Sequence, residues 1–295
     1  MQKRQAWALL ALLAVLAVLV IGQFAVLDPE PTARAIETAG GSPASRSAEA
    51  PADPAPEPRA VTPLGPGAAI RVPLPDGRIL DVRLWLAAQP GSPLVVATTG
   101  NNVSAPEWLP VLETLRAHRD ASVAVILGVA GAPPAADPTA RVREQELLLA
   151  AAVAALRAKP GVEAVPVAVL ASGDAATAAL LYMAATQEIS ALAVLSAAID
   201  VPDLDVRDAM ASIARRQVFV GFADKGENAD AGRELLARLL NRRAVVVPGM
   251  SGGVELLALP ALHGDLVGWL YAALGPVTRP APAAAPPLDP TQPAG

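Results

Sequence analysis

The sequence predicts an α/β fold, a doubly wound and mostly parallel sheet with an N-terminal antiparallel hairpin. Two observations lead to it. From about residue 68 to 275, short apolar runs of strand length alternate with longer helical segments. That alternation builds βα units on a parallel sheet with helices on both faces. At the front of this region two alternating runs flank Pro75-Asp76-Gly77, a hairpin turn signal.

The elements follow in order. Ala69–Leu74 and Ile79–Ala87 are the hairpin strands, and Leu94–Thr98 is a short apolar strand. Trp108–His118 is amphipathic, with Ser104 ahead of it as a cap. Val123–Leu127 is a strand, and Arg141–Ala158 is a long helix halted by Lys159-Pro160-Gly161. Val165–Leu170 is a buried strand, followed by a helix of small residues over Ala175–Ala185. Leu192–Ser196, Val218–Phe222 and Ala244–Pro248 are the remaining strands. Val206–Ala214, Ala229–Leu240 and Ala261–Leu274 are the remaining helices.

The flanks differ in character. Lys3 and Arg4 precede an apolar run from Ala6 to Leu27, and Asp28 and Glu30 follow it. As a helix this run spans roughly 33 Å, about one hydrocarbon core. The basic residues before it place the N-terminus in the cytoplasm. Residues 1–27 are therefore expected to be an uncleaved membrane anchor, with a cleaved signal segment as the alternative. Either reading exports the remainder, to the periplasm or the cell exterior. Residues 28–67 and 276–295 are rich in Pro and Ala and lack the apolar content to fold. They are expected to be a disordered tether and tail around the domain at 68–275.

Composition narrows the chemistry. Hydrophobic residues make up 53% and aromatics 3%, so the core must be built from Ala, Val and Leu. The net charge of −5 and the scattered basic residues argue against nucleic-acid binding. The chain has no cysteine, which excludes disulfides and thiol nucleophiles. With two histidines, His118 and His263, a multi-histidine metal site is not expected, nor is any cofactor.

The segment Ala171-Ser172-Gly173-Asp174-Ala175 joins a buried strand to a helix through a tight turn of small residues. That is the setting of a serine-hydrolase nucleophile elbow. Further landmarks follow the same order. They are the strand Leu94 to Thr99 ending at Gly100, the loop after Leu195, Phe219 to Asp224, and Val247-Pro248-Gly249-Met250-Ser251-Gly252-Gly253. Together these make residues 69–274 resemble the α/β-hydrolase superfamily, in particular its dienelactone-hydrolase-like branch.

The resemblance implies a Ser-His-acid triad, and the matching positions depart from it. Gly173 stands at the nucleophile and Gly252 at the histidine, neither with a side chain to do the work. Asp224 matches the acid or lies beside it, and Thr99 replaces the histidine usual in the oxyanion loop. The leading expectation is a non-catalytic member that binds a small ligand or an envelope protein. The polar residues Thr99, Asn101, Asp174, Asp224 and Ser251, with Gly173, fall where such sheets bind ligands. Two alternatives stand beside it. One is a weak esterase using Ser172, with Asp224 and His263 as fallback partners. The other is a cell-envelope scaffold module.

Overall fold

A computed structural model describes residues 63–100, 105–131, 135–249 and 252–275, all within the unit Glu57–Gly295. The Ala6–Leu27 run, residues 28–62 and 276–295 of the Pro-rich flanks, Asn101, Ser104 and Ser251 lie outside the described residues. Among the described residues no helix is long and apolar enough to cross a membrane.

Among the described residues eight strands form one sheet. They are β1 (Ala68–Pro73), β2 (Ile79–Trp85), β3 (Leu94–Thr99), β4 (Ser122–Val129), β5 (Val167–Ser172), β6 (Ala191–Leu195), β7 (Gln217–Ala223) and β8 (Arg242–Val247). Their spatial order is β1-β2-β4-β3-β5-β6-β7-β8. β1 pairs antiparallel with β2, and β2 antiparallel with β4. All other pairs are parallel. The order reverses between β3 and β5, which places a crevice beyond their carboxyl ends.

Among the described residues there are six α-helices, five between strands and one after β8: α1 (Leu109–Arg119), α2 (Pro138–Arg157), α3 (Asp174–Ala185), α4 (Val206–Ser212), α5 (Ala229–Arg238) and α6 (Pro260–Ala273). Short 3-10 turns at Ala105–Trp108 and Gly253–Ala258 precede α1 and α6. The strand alternation sorts side chains onto two faces. Val167, Val169 and Ala171 of β5 join the core under α2, α3, α4 and α5. Ala168 and Leu170 join the other core, under α1 and α6. The sheet is thus covered on both sides, which explains why its central strands are apolar throughout.

Every strand and helix predicted within residues 69–274 is present, with small shifts at the ends. β5 starts at Val167 and not at Val165, because Pro166 has no N–H for the ladder. It also runs on to Ser172, which pairs with Thr99 on one side and Leu195 on the other. Helix α3 is apolar almost all round. Ala175, Ala176, Ala178, Ala179, Leu180 and Met183 are all buried, which suits a helix wedged between α2 and the sheet.

Two charged side chains hold helix ends, Asp137 at the crevice edge of the sheet and Arg216 at the opposite edge. Asp137 caps α2 by accepting from Ala140 N–H at 2.7 Å. Arg216 donates to the carbonyls of Met183, Thr186 and Ile189, closing off the C-terminal end of α3.

Candidate functional site

The turn after β5 has the shape of an elbow. Gly173 takes φ 58° and ψ −131°, a conformation that L side chains rarely adopt. Its N–H donates to Leu195 O at 3.0 Å, and its carbonyl accepts from Ala176 N–H at 3.0 Å. The backbone is therefore pinned to β6 on one side and to α3 on the other. A β-carbon on Gly173 would meet nothing within 4 Å. The strained apex faces open space and carries no side chain.

Gly100 packs against this elbow. Its N–H donates to Ser172 O at 3.2 Å. A β-carbon there would come within 2.8 Å of the backbone nitrogens of both Asp174 and Ala175. Only glycine allows the loop after β3 to approach the start of α3 so closely.

The next strand ends in Ser196, which is 9% exposed and takes φ 54°. A non-glycine residue in the left-handed region is unusual, and its surroundings hold it there. Ser196 N–H donates to Gly221 O at 2.9 Å. Its carbonyl accepts from Asn228 Nδ2 at 2.9 Å, and its Oγ accepts from Gly253 N–H at 2.8 Å. Two residues on, the fully buried Thr177 hydroxyl bridges the carbonyl and N–H of Ala198, at 2.7 and 3.1 Å. That bridge ties the loop carrying Ser196 to α3.

Together these elements enclose a cavity of about 220 Å³. Its walls include Gly173, Ser196, Phe222, Glu227, Asn228 and Gly252. It lies beyond the carboxyl ends of β5, β6 and β7, where open α/β sheets bind ligands. The glycines at the apex and at the matching histidine position therefore share one cavity. No group of three or more His, Asp or Glu side chains converges as a metal site among the described residues.

The other sequence-predicted residues fall as follows. Ser172 is the last residue of β5, 3% exposed. Strand alternation places it on the face of Ala168 and Leu170, the face under α1 and α6. His263 is half-buried in α6, with Nε2 3.4 Å from Thr114 Oγ1. Because Thr114 donates its proton to Pro110 O at 2.8 Å, His263 Nε2–H is the donor in that pair. Burial lowers the His263 pKa, favouring the neutral ring. His118 is exposed in the last turn of α1.

Asp174 opens α3 and forms an ion pair with Arg141 of α2, at 2.7 Å. Asp224 follows β7, and its Oδ1 accepts from Gly249 N–H at 2.8 Å. Its own N–H donates to Val247 O at 2.9 Å. The carboxylate thus braces the turn at the end of β8. Thr99 ends β3 beside Ser172. Asn101 and Ser251 lie outside the described residues.

Sequence reasoning missed Ser196, Glu227 and Asn228 as cavity residues. The sequence does contain a signal, since Ser196 follows a strand directly and Asn228 sits where a helix cap belongs. Neither signal says that the two meet.

Comparison with known proteins gives a likeness of fold. No family model and no curated protein matches the chain. Among solved structures, an esterase of Pyrococcus furiosus, Pf2001, aligns with a TM-score of 0.58 at 14% identity, over 74% of this chain and 99% of that one. Est1E from Butyrivibrio proteoclasticus aligns with a TM-score of 0.53 at 15% identity, over 68% and 98%. A cold-adapted esterase from an Arctic intertidal metagenomic library aligns at 0.52 and 18% identity, over 70% and 93%. The fold is that of the α/β-hydrolases. These likenesses do not single out the dienelactone-hydrolase-like branch.

Proposed function

We propose that this chain is an α/β-hydrolase-fold protein that binds a small ligand without triad chemistry. One observation carries the reading: Gly173 and Gly252 leave both reacting positions of the cavity without a side chain. A serine hydrolase needs an oxygen nucleophile and a base to take its proton. Ser196 has the only hydroxyl among the cavity's described lining residues, and its Oγ accepts from a backbone N–H. Asp224, the surviving acid by resemblance, is engaged by Gly249 N–H. What supports the binding reading is a formed crevice in the usual ligand position with polar groups in its wall.

The test is turnover of p-nitrophenyl acetate by the full chain in detergent, beside its Ser172→Ala and Ser196→Ala variants. Equal background rates for all three are expected. A rate that falls in one variant alone would make that serine a nucleophile and the protein an esterase with a displaced site.

The tethering is part of the same proposal. Ala6–Leu27 anchors the chain with its globular domain outside the cytoplasm. Extraction at alkaline pH should leave the protein in the membrane pellet. Release into the supernatant, with a shortened mature mass, would favour the cleaved-signal reading.

A further inference from the structure

The cavity contains polar capacity that the fold does not use. Ser196 Oγ accepts from Gly253 N–H, but a hydroxyl also has a proton to donate. No acceptor takes that proton among the described residues. A buried donor without an acceptor is costly, and a ligand or water is the usual remedy. Asn228 commits its Nδ2 to Ser196 O, while its Oδ1 makes no capping bond to α5. Glu227, exposed at the cavity wall, has no cationic partner among the described residues.

The sign of the charge can be decided. No Lys or Arg lines the cavity among the described residues. The N-terminus of α5 would by itself favour an anion. Glu227 already supplies negative charge at that end, whereas the Asp230 carboxylate is paired with Arg233 at 2.6 Å. The Ala229 N–H, the first of the helix, is spent on Gly226 O. The volume, about 220 Å³, lies below that of drug-sized pockets, about 300–1,000 Å³.

We infer that the cavity binds a small organic cation that also carries a carbonyl or hydroxyl oxygen. Ser196 donates to that oxygen, and Asn228 Oδ1 and the Glu227 carboxylate accept from the ligand's N–H groups. This rests on the proposed binding function and names the class of ligand.

The experiment is a saturation-transfer NMR titration of the full chain with three primary amides that differ in their terminal group: β-alaninamide (cationic), its isostere butyramide (neutral) and the slightly larger succinamate (anionic). β-Alaninamide should bind about fivefold more tightly than butyramide, as expected for one partly exposed ion pair, with succinamate weakest. Glu227→Gln, an exposed substitution, should abolish the difference between the first two. Ser196→Ala should weaken every probe by about five- to tenfold, the value of one hydrogen bond. Equal affinities, or a preference for succinamate, would overturn the ligand class and leave the cavity a binding site. No transfer from any probe would overturn the proposal and leave water as the occupant. Ester turnover dependent on one serine would overturn the underlying reading instead.

Discussion

The Oγ of Ser196 lies 3.3 Å from the point where a β-carbon on Gly252 would stand. The same oxygen accepts from Gly253 N–H at 2.8 Å. A serine side chain thus fills the room into which a residue at 252 would project. The loop that resembles the histidine loop is closed by a serine from the end of β6.

This contact predicts an energetic coupling. Gly252 has φ −146°, which any residue adopts, so the cost of Gly252→Ala comes from crowding alone. The substitution should destabilise by about 1 kcal/mol. In a Ser196→Ala background that cost should nearly vanish, giving a coupling of about 0.5–1 kcal/mol in a double-mutant cycle by urea denaturation.

Gly173 behaves differently. Space is open there, but φ is 58°. Gly173→Ser should destabilise by about 1–2 kcal/mol, the strain of a β-carbon less the gain from a stiffer unfolded chain. It should add no ester turnover, because no histidine lines the cavity among the described residues. Urea denaturation and a p-nitrophenyl acetate assay check the two halves.

Gly100 presents the opposite balance, with no room at all. A β-carbon would meet two backbone nitrogens at 2.8 Å, and backbone cannot swing aside as a flexible side chain can. Gly100→Ala should cost about 2–3 kcal/mol. Hydrogen exchange should show the loss concentrated at the start of α3, where the contact is made.

His263 sets a pH dependence. Burial lowers its folded pKa below the ordinary 6.5, so the unfolded chain takes up the proton first as pH falls. Its contribution is full above about pH 6.5 and is lost as pH drops through the lowered value. Melting temperatures measured from pH 8 to pH 5 should show a smaller decline in His263→Asn than in the parent.

Much of this fold is legible in the sequence, because strand and helix signals are local. The apolar run of β5, the Gly173 turn and the small residues of α3 sit side by side, so the elbow can be seen in one short segment. Pro166 marks the true start of β5, although apolar Val165 extends the run past it. The cavity is less legible. Ser196 depends on Asn228, 32 residues away, and on Gly253, 57 residues away. Its positive φ leaves no mark on residue type, since serine is not the residue that such a backbone favours. Asp224 shows the same limit. Its place after β7 is readable, but its bond to Gly249 N–H is not.

The most direct test of a cavity without an activated serine is intact-protein mass spectrometry after treating the full chain with a fluorophosphonate. The account predicts an unchanged mass under conditions that fully label an active esterase. A stoichiometric adduct mapping to Ser172 or Ser196 would contradict it and establish a displaced nucleophile.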